Sequence, residues 1–155
     1  MQINEIWTPE RTLNGVQGNN KKRLLEFLSK FIQQDQPQLE AKEILTKLQA
    51  RERLGSTGVG KGVALPHCRI EGLTSTLGTF IKLKDKIDFE ALDNQPVDLI
   101  FLLLVPLEAD KDHLNTLANL AEAFNNADLR KQLRLAETSA EMFNLITHFS
   151  PAIPT

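Results

Sequence analysis

The chain has 155 residues, 41% of them hydrophobic, and a formal charge of -2. That is enough apolar material for one domain with a real core, and it lacks the basic stripe of a nucleic-acid binder. Its single cysteine, Cys68, cannot close an intrachain disulfide. No apolar region follows Met1 and no apolar run approaches about 18 residues, so neither export nor a membrane span is indicated and a cytoplasmic location is expected.

Residues 1–17 and 150–155 are weakly patterned. Asn19 or Asn20 can cap a helix reaching about Gln34, with Leu24, Leu28, Phe31 and Ile32 on its buried face. A second helix is predicted from Leu39 to Arg53, with Leu39, Ile44, Leu45 and Leu48 buried. Gly55-Ser-Thr-Gly-Val-Gly-Lys-Gly62 follows, then Val63-Ala-Leu-Pro66-His67. Glycines let successive amides turn toward one anion, so the segment reads as a phosphate cradle. Pro66 restricts Leu65 to extended backbone and presents His67 from a stiff segment.

Gly55 to Lys61 also satisfies most of the P-loop pattern G-x-x-x-x-G-K-[ST], which leaves a degenerate nucleotide-binding site as an alternative. Gly62 replaces the hydroxyl of that motif, and a helix before with a proline after is the wrong frame. A plain surface loop with an incidental histidine is the other local reading.

Thr76 to Leu83 reads as a strand. Leu99 to Val105 is a continuous apolar run, suited to a strand covered on both faces, which predicts a three-layer α/β/α sandwich. Asp110 or Asp112 is the expected N-cap of a helix burying Leu114, Leu117, Ala118, Ala121 and Phe124. His113 stands in its first turn, beyond the carboxyl end of the buried strand, where open α/β sheets bind ligands. A short helix is expected over 129–135. Thr138-x-x-Glu141 is a capping box for a last helix burying Met142, Leu145, Ile146 and Phe149.

Arg51-Glu-Arg-Leu-Gly-Ser-Thr-Gly-Val-Gly-Lys-Gly-Val-Ala-Leu-Pro-His67 resembles the active-site signature of enzyme IIA of the phosphoenolpyruvate-dependent phosphotransferase system, fructose/mannitol class. Ala91-Leu-Asp-Asn-Gln-Pro-Val-Asp98 with the strand after it, and His113-Leu-Asn-Thr-Leu117, resemble the same family. The resemblance runs from about Ile6 to Phe149 and is nearest to the nitrogen-regulatory branch. It implies one type-2 IIA domain over 1–155, built on a central mixed β-sheet.

The same resemblance implies that His67 accepts a phosphoryl group from a histidine phosphocarrier of the HPr type, with His113 and Arg51 as further catalytic residues. It points to the tele nitrogen of His67, although the sequence by itself does not separate the two ring nitrogens. It further implies a regulatory role exercised on partner proteins such as transporters or kinases. A sugar-specific IIA component that passes phosphate to a IIB domain is the alternative. Cys68 stands where relatives usually carry glycine.

The chemistry agrees with these assignments. Transfer between imidazoles needs positioning and charge stabilisation on three equatorial oxygens. Arg51 offers a fixed fork, and His113, Ser56, Thr57 and the Gly58 amide are further candidate donors. No metal or cofactor is called for. Val59, Leu65 and Leu114 are expected to form an apolar rim for a transient partner. Arg53 and His148 are read as structural, and Cys68 as a small side chain packed near the site.

Overall fold

The computed structural model describes residues 3–149, with the side chains of residues 3, 4 and 112–114 outside the description. A short helix α1 (Ile3–Ile6) and a 3-10 turn (Pro9–Arg11) lead into strand β1 (Thr12–Val16). Helices α2 (Lys21–Asp35) and α3 (Ala41–Arg53) come next, followed by β2 (Gly58–Gly60), β3 (Val63–Ala64), β4 (His67–Ile70), β5 (Leu77–Ile87) and β6 (Val97–Pro106). The chain then runs through α4 (Lys111–Phe124), α5 (Ala127–Leu135) and α6 (Ser139–Phe149).

The strands form one mixed sheet in the order β1, β5, β6, β3, β2, with β4 continuing beside β6 beyond β3. β5 runs antiparallel to β6, whereas β1 is parallel to β5 and both β3 and β4 are parallel to β6. Every residue of β6 is buried. Because side chains alternate along a strand, Ile100, Leu102 and Leu104 enter a core with α2 and α3, while Leu99, Phe101 and Leu103 enter a second core with α4, α5 and α6. This is the expected three-layer sandwich on a mixed sheet.

Local signals explain most boundaries. Asn20 caps α2, accepting the Arg23 amide at 2.9 Å. Asn126 caps α5 through the Leu129 amide, also at 2.9 Å, so this helix starts earlier than the periodicity indicated. Thr138 accepts the Glu141 amide at 3.1 Å, as its spacing predicts, while the Glu141 carboxylate reaches one residue further back, to the Glu137 amide at 3.3 Å.

Other expectations need correction. In α2, Leu25 is buried while Phe31 is only partly so. In α4, Leu120 carries the buried stripe and Ala118 is exposed. Helix α4 begins at Lys111, so of the two expected N-caps Asp110 holds the flanking position and Asp112 lies inside the first turn. The N-terminal region, weakly patterned in sequence, supplies β1 and the fully buried Trp7, whose indole N–H donates to the Arg11 carbonyl.

Candidate functional site

The glycine-rich stretch is a β-hairpin. β2 and β3 pair antiparallel with Gly60 opposite Val63, so Lys61 and Gly62 form a two-residue turn. Both have positive φ, 59° and 80°, the signature of the primed turn that matches strand twist. Gly58 answers a different need: a Cβ there would stand 2.8 Å from the Ala91 Cβ. The P-loop reading fails here, since a helix, α3, precedes Gly55 and a strand rather than a helix follows Gly62.

The cradle reading needs correction as well. The Gly62 carbonyl accepts the Asp98 and Leu99 amides, whereas His67 lies opposite Leu103. At strand rise the turn is therefore about 13 Å along β6 from the histidine.

What surrounds His67 comes instead from the end of α3 and the loop after it. The imidazole is half-buried at the start of β4. Its Nδ1 lies 2.9 Å from the Leu65 carbonyl. A carbonyl only accepts, so Nδ1 carries the proton and Nε2 the lone pair. Arg51 Nε–H donates to that lone pair at 3.3 Å, and its Nη1 donates to the Gly55 carbonyl at 2.9 Å. Burial holds the His67 pKa below its ordinary 6.5 against the raising effect of the Leu65 hydrogen bond; the Arg51 charge lowers it further and Glu52 opposes. A neutral imidazole with its lone pair next to a cation can attack an electrophile such as phosphorus.

Ser56, Thr57 and Gly58 do not direct their donors at this ring. The Ser56 hydroxyl donates to the Phe89 carbonyl at 2.8 Å and accepts the Gly58 amide at 3.0 Å. The Thr57 amide and hydroxyl both donate to Glu52, at 3.1 and 2.5 Å. These bonds fix the loop, so the expected phosphate donors are engaged with protein acceptors. Leu65, expected at the rim, is buried, while Leu54, Val59 and Leu92 are exposed.

The His113 and Leu114 side chains lie outside the described residues. The helix that carries them, α4, packs on the core containing Leu103, the side toward which strand alternation directs His67. Cys68 is buried in the opposite core, and that burial pushes its thiol up to about 12. His148 lies on α6, with Nδ1 donating to the Asn144 carbonyl, remote in sequence and structure from β4. Glu52 is a functional neighbour that the sequence reading does not single out. An acid in the last turn of a helix opposes the helix dipole and calls for a partner, which was the available signal.

Among the described residues no group of His, Cys, Asp and Glu is placed to hold a metal ion, and no helix is long and apolar enough to cross a membrane.

Comparison with known proteins assigns the architecture. Residues 5–149 match the family described as phosphoenolpyruvate-dependent sugar phosphotransferase system, EIIA 2. A nitrogen regulatory protein of Pseudomonas aeruginosa is 41% identical over 146 residues, covering 94% of this chain and 95% of the relative. The crystal structure of nitrogen regulatory protein IIA-Ntr from Neisseria meningitidis superposes with a TM-score of 0.87 at 35% identity, covering 93% of this chain and 98% of that one. IIA mannitol of Escherichia coli, solved in complex with phosphorylated IIB mannitol, shares the fold with a TM-score of 0.70 at 16% identity, over 89% of this chain and 95% of that one.

Fold and relatives together define a phosphotransfer protein. The chain belongs to the EIIA type 2 family of the phosphoenolpyruvate-dependent phosphotransferase system.

Proposed function

We propose that the chain is a phosphoryl carrier of the nitrogen-regulatory branch, charged on His67 Nε2 by an HPr-type histidine phosphocarrier and acting in the cytoplasm by binding regulatory targets. The observation that supports it best is the Nδ1–H bond to the Leu65 carbonyl, which leaves the lone pair on Nε2 beside Arg51.

In the transfer, the Nε2 lone pair forms the new bond to phosphorus while the donor's P–N bond breaks and its electron pair returns to the donor ring. The accepting ring gains positive character, and the Leu65 carbonyl stabilises the Nδ1–H that bears it. Arg51 turns from Nε2 to the equatorial oxygens as phosphorus arrives, with His113 as the second donor. Exposed Leu54, just after Arg53, with Val59 in the hairpin strand β2 and Leu92 beside it, gives a carrier an apolar rim. Such a contact belongs at the small end of interface sizes, below about 1,200 Å².

The nitrogen-regulatory relative at 41% identity favours this branch over a sugar-specific role. The mannitol structure speaks for fold alone.

Incubation with phosphoenolpyruvate, the first enzyme of the system and an HPr-type carrier should label the wild type with acid-labile, base-stable phosphate. His67→Ala should take no label, whereas His113→Ala should label about 10²–10³-fold more slowly, the loss typical of one charge-stabilising donor. Acid-stable label, or label persisting in His67→Ala, overturns the assignment.

A further inference from the structure

The Leu65 carbonyl that fixes the His67 ring is itself held by a chain of hydrogen bonds that ends on an acid. The Leu65 amide donates to the Thr57 carbonyl at 3.0 Å. The Thr57 amide and hydroxyl donate to the two oxygens of Glu52 at 3.1 and 2.5 Å. Lys21, from α2, closes on Glu52 Oε1 at 3.0 Å and on Glu90 at 3.4 Å, with its ammonium 4.6 Å from the Phe89 ring centroid. Glu52 has a side chain only 6% exposed, and Thr57 is 4% exposed.

A carboxylate placed so deeply at the carboxyl end of a helix is unfavourable there twice, by desolvation and by the helix dipole. Its three donors offset both. They also tie the loop after α3 to the strand segment before His67. Arg51 and Glu52 are consecutive, so one helix terminus grips the ring from two sides: Arg51 directly on Nε2, and Glu52 through Thr57 and Leu65 on Nδ1.

We propose that Glu52 is a positioning residue for His67, holding the Leu65 carbonyl through Thr57 so that the ring stays in the Nδ1–H tautomer with Nε2 outward. In water a neutral histidine favours the opposite tautomer, so the protein must impose this one. The effect on phosphoryl acceptance rests on the reading of His67 as acceptor; the effect on the ring does not.

The test uses the full-length chain with ¹⁵N-labelled histidine. Wild type should give the nitrogen shifts of a fixed Nδ1–H ring at His67. Glu52→Ala and Thr57→Val should move that pattern toward the average of a mobile ring, and should slow acceptance from an HPr-type carrier by about 10- to 10²-fold, the scale on which a displaced positioning group acts. Glu52→Gln, which keeps shape and an acceptor without charge, should lie between. Because Glu52 acts through Thr57, the double variant should be no worse than Glu52→Ala alone.

Folded variants with the wild-type ring pattern and rate overturn the proposal, as does full additivity of the two changes. If Glu52→Ala does not fold, Thr57→Val and Glu52→Gln carry the same comparison. If the wild type takes no phosphate, the carrier reading fails while the ring pattern still decides the role of Glu52.

Discussion

Arg51 occupies the lone pair that an incoming phosphorus must reach, and this gives its side chain two separable effects. Its positive charge, added to burial, keeps His67 neutral below the ordinary 6.5. Only the neutral ring attacks, so acceptance should rise with pH and level off, with a midpoint below 6.5. Arg51→Ala should move that midpoint upward, because one of the causes of the lowering is gone. It should also depress the plateau by about 10²–10³-fold, the usual loss when one charge-stabilising donor is removed. A pH series of initial labelling rates reads both. An unchanged midpoint with a lowered plateau would confine Arg51 to the oxygens; an unchanged plateau would remove it from the transfer.

At the level of elements, the stretch that drew most attention in the sequence has a different job from the one first read into it. Gly55 to Gly62 carries the composition of an anion-binding loop, yet its glycines serve a primed turn at Lys61-Gly62 and a close approach at Gly58. Local composition did not distinguish the two, because both need backbone free of Cβ. The distinction depends on Ala91 and Asp98, far along the chain. Gly58→Ala should therefore leave the chemistry of His67 in place but lower stability by about 1–3 kcal/mol, the cost of overpacking against Ala91. Urea denaturation measures the loss, and a neutral effect would show that the hairpin can move away from residue 91. The helices were legible because their signals are local: Asn20 and Thr138 both cap as their spacing indicates, whereas Asn126, which starts α5 early, was not singled out. The partnership of Glu52 with Thr57 and Lys21 was not legible, since it joins two helices and a loop through side chains that read singly as surface charge.

For the whole molecule, the continuous apolar run in β6 was enough to foresee layers on both faces, since any other arrangement would leave one side of it in water. Its neighbours were not foreseeable. β1 lies in a segment with an Asn-Gly pair and weak alternation, and it becomes a strand by pairing with β5 rather than by its own propensity. The two cores lie on opposite faces of the sheet. Phe101 anchors one of them, with ring centroids 5.3 Å from Trp7 and 6.1 Å from both Phe80 and Phe124. Phe101→Ala should cost about 3–5 kcal/mol, a large share of the roughly 5–15 kcal/mol typical of a domain. A shift in the thermal or urea midpoint too small for that cost would mean the aromatic cluster closes over the gap.

The mixed pairing of β6 also orders events in time. β5 and β6 are antiparallel and joined by the single connection 88–96, whereas the parallel pairing of β1 with β5 brings the beginning of the chain to its middle. Closing the longer loop costs more entropy before any contact repays it. The β5–β6 pair should thus be formed in the folding transition state and β1 should dock late. Destabilising substitutions at Ile100 should slow refolding, while those at Leu13 should mainly speed unfolding. The opposite assignment in stopped-flow experiments would place nucleation at the amino-terminal edge of the sheet.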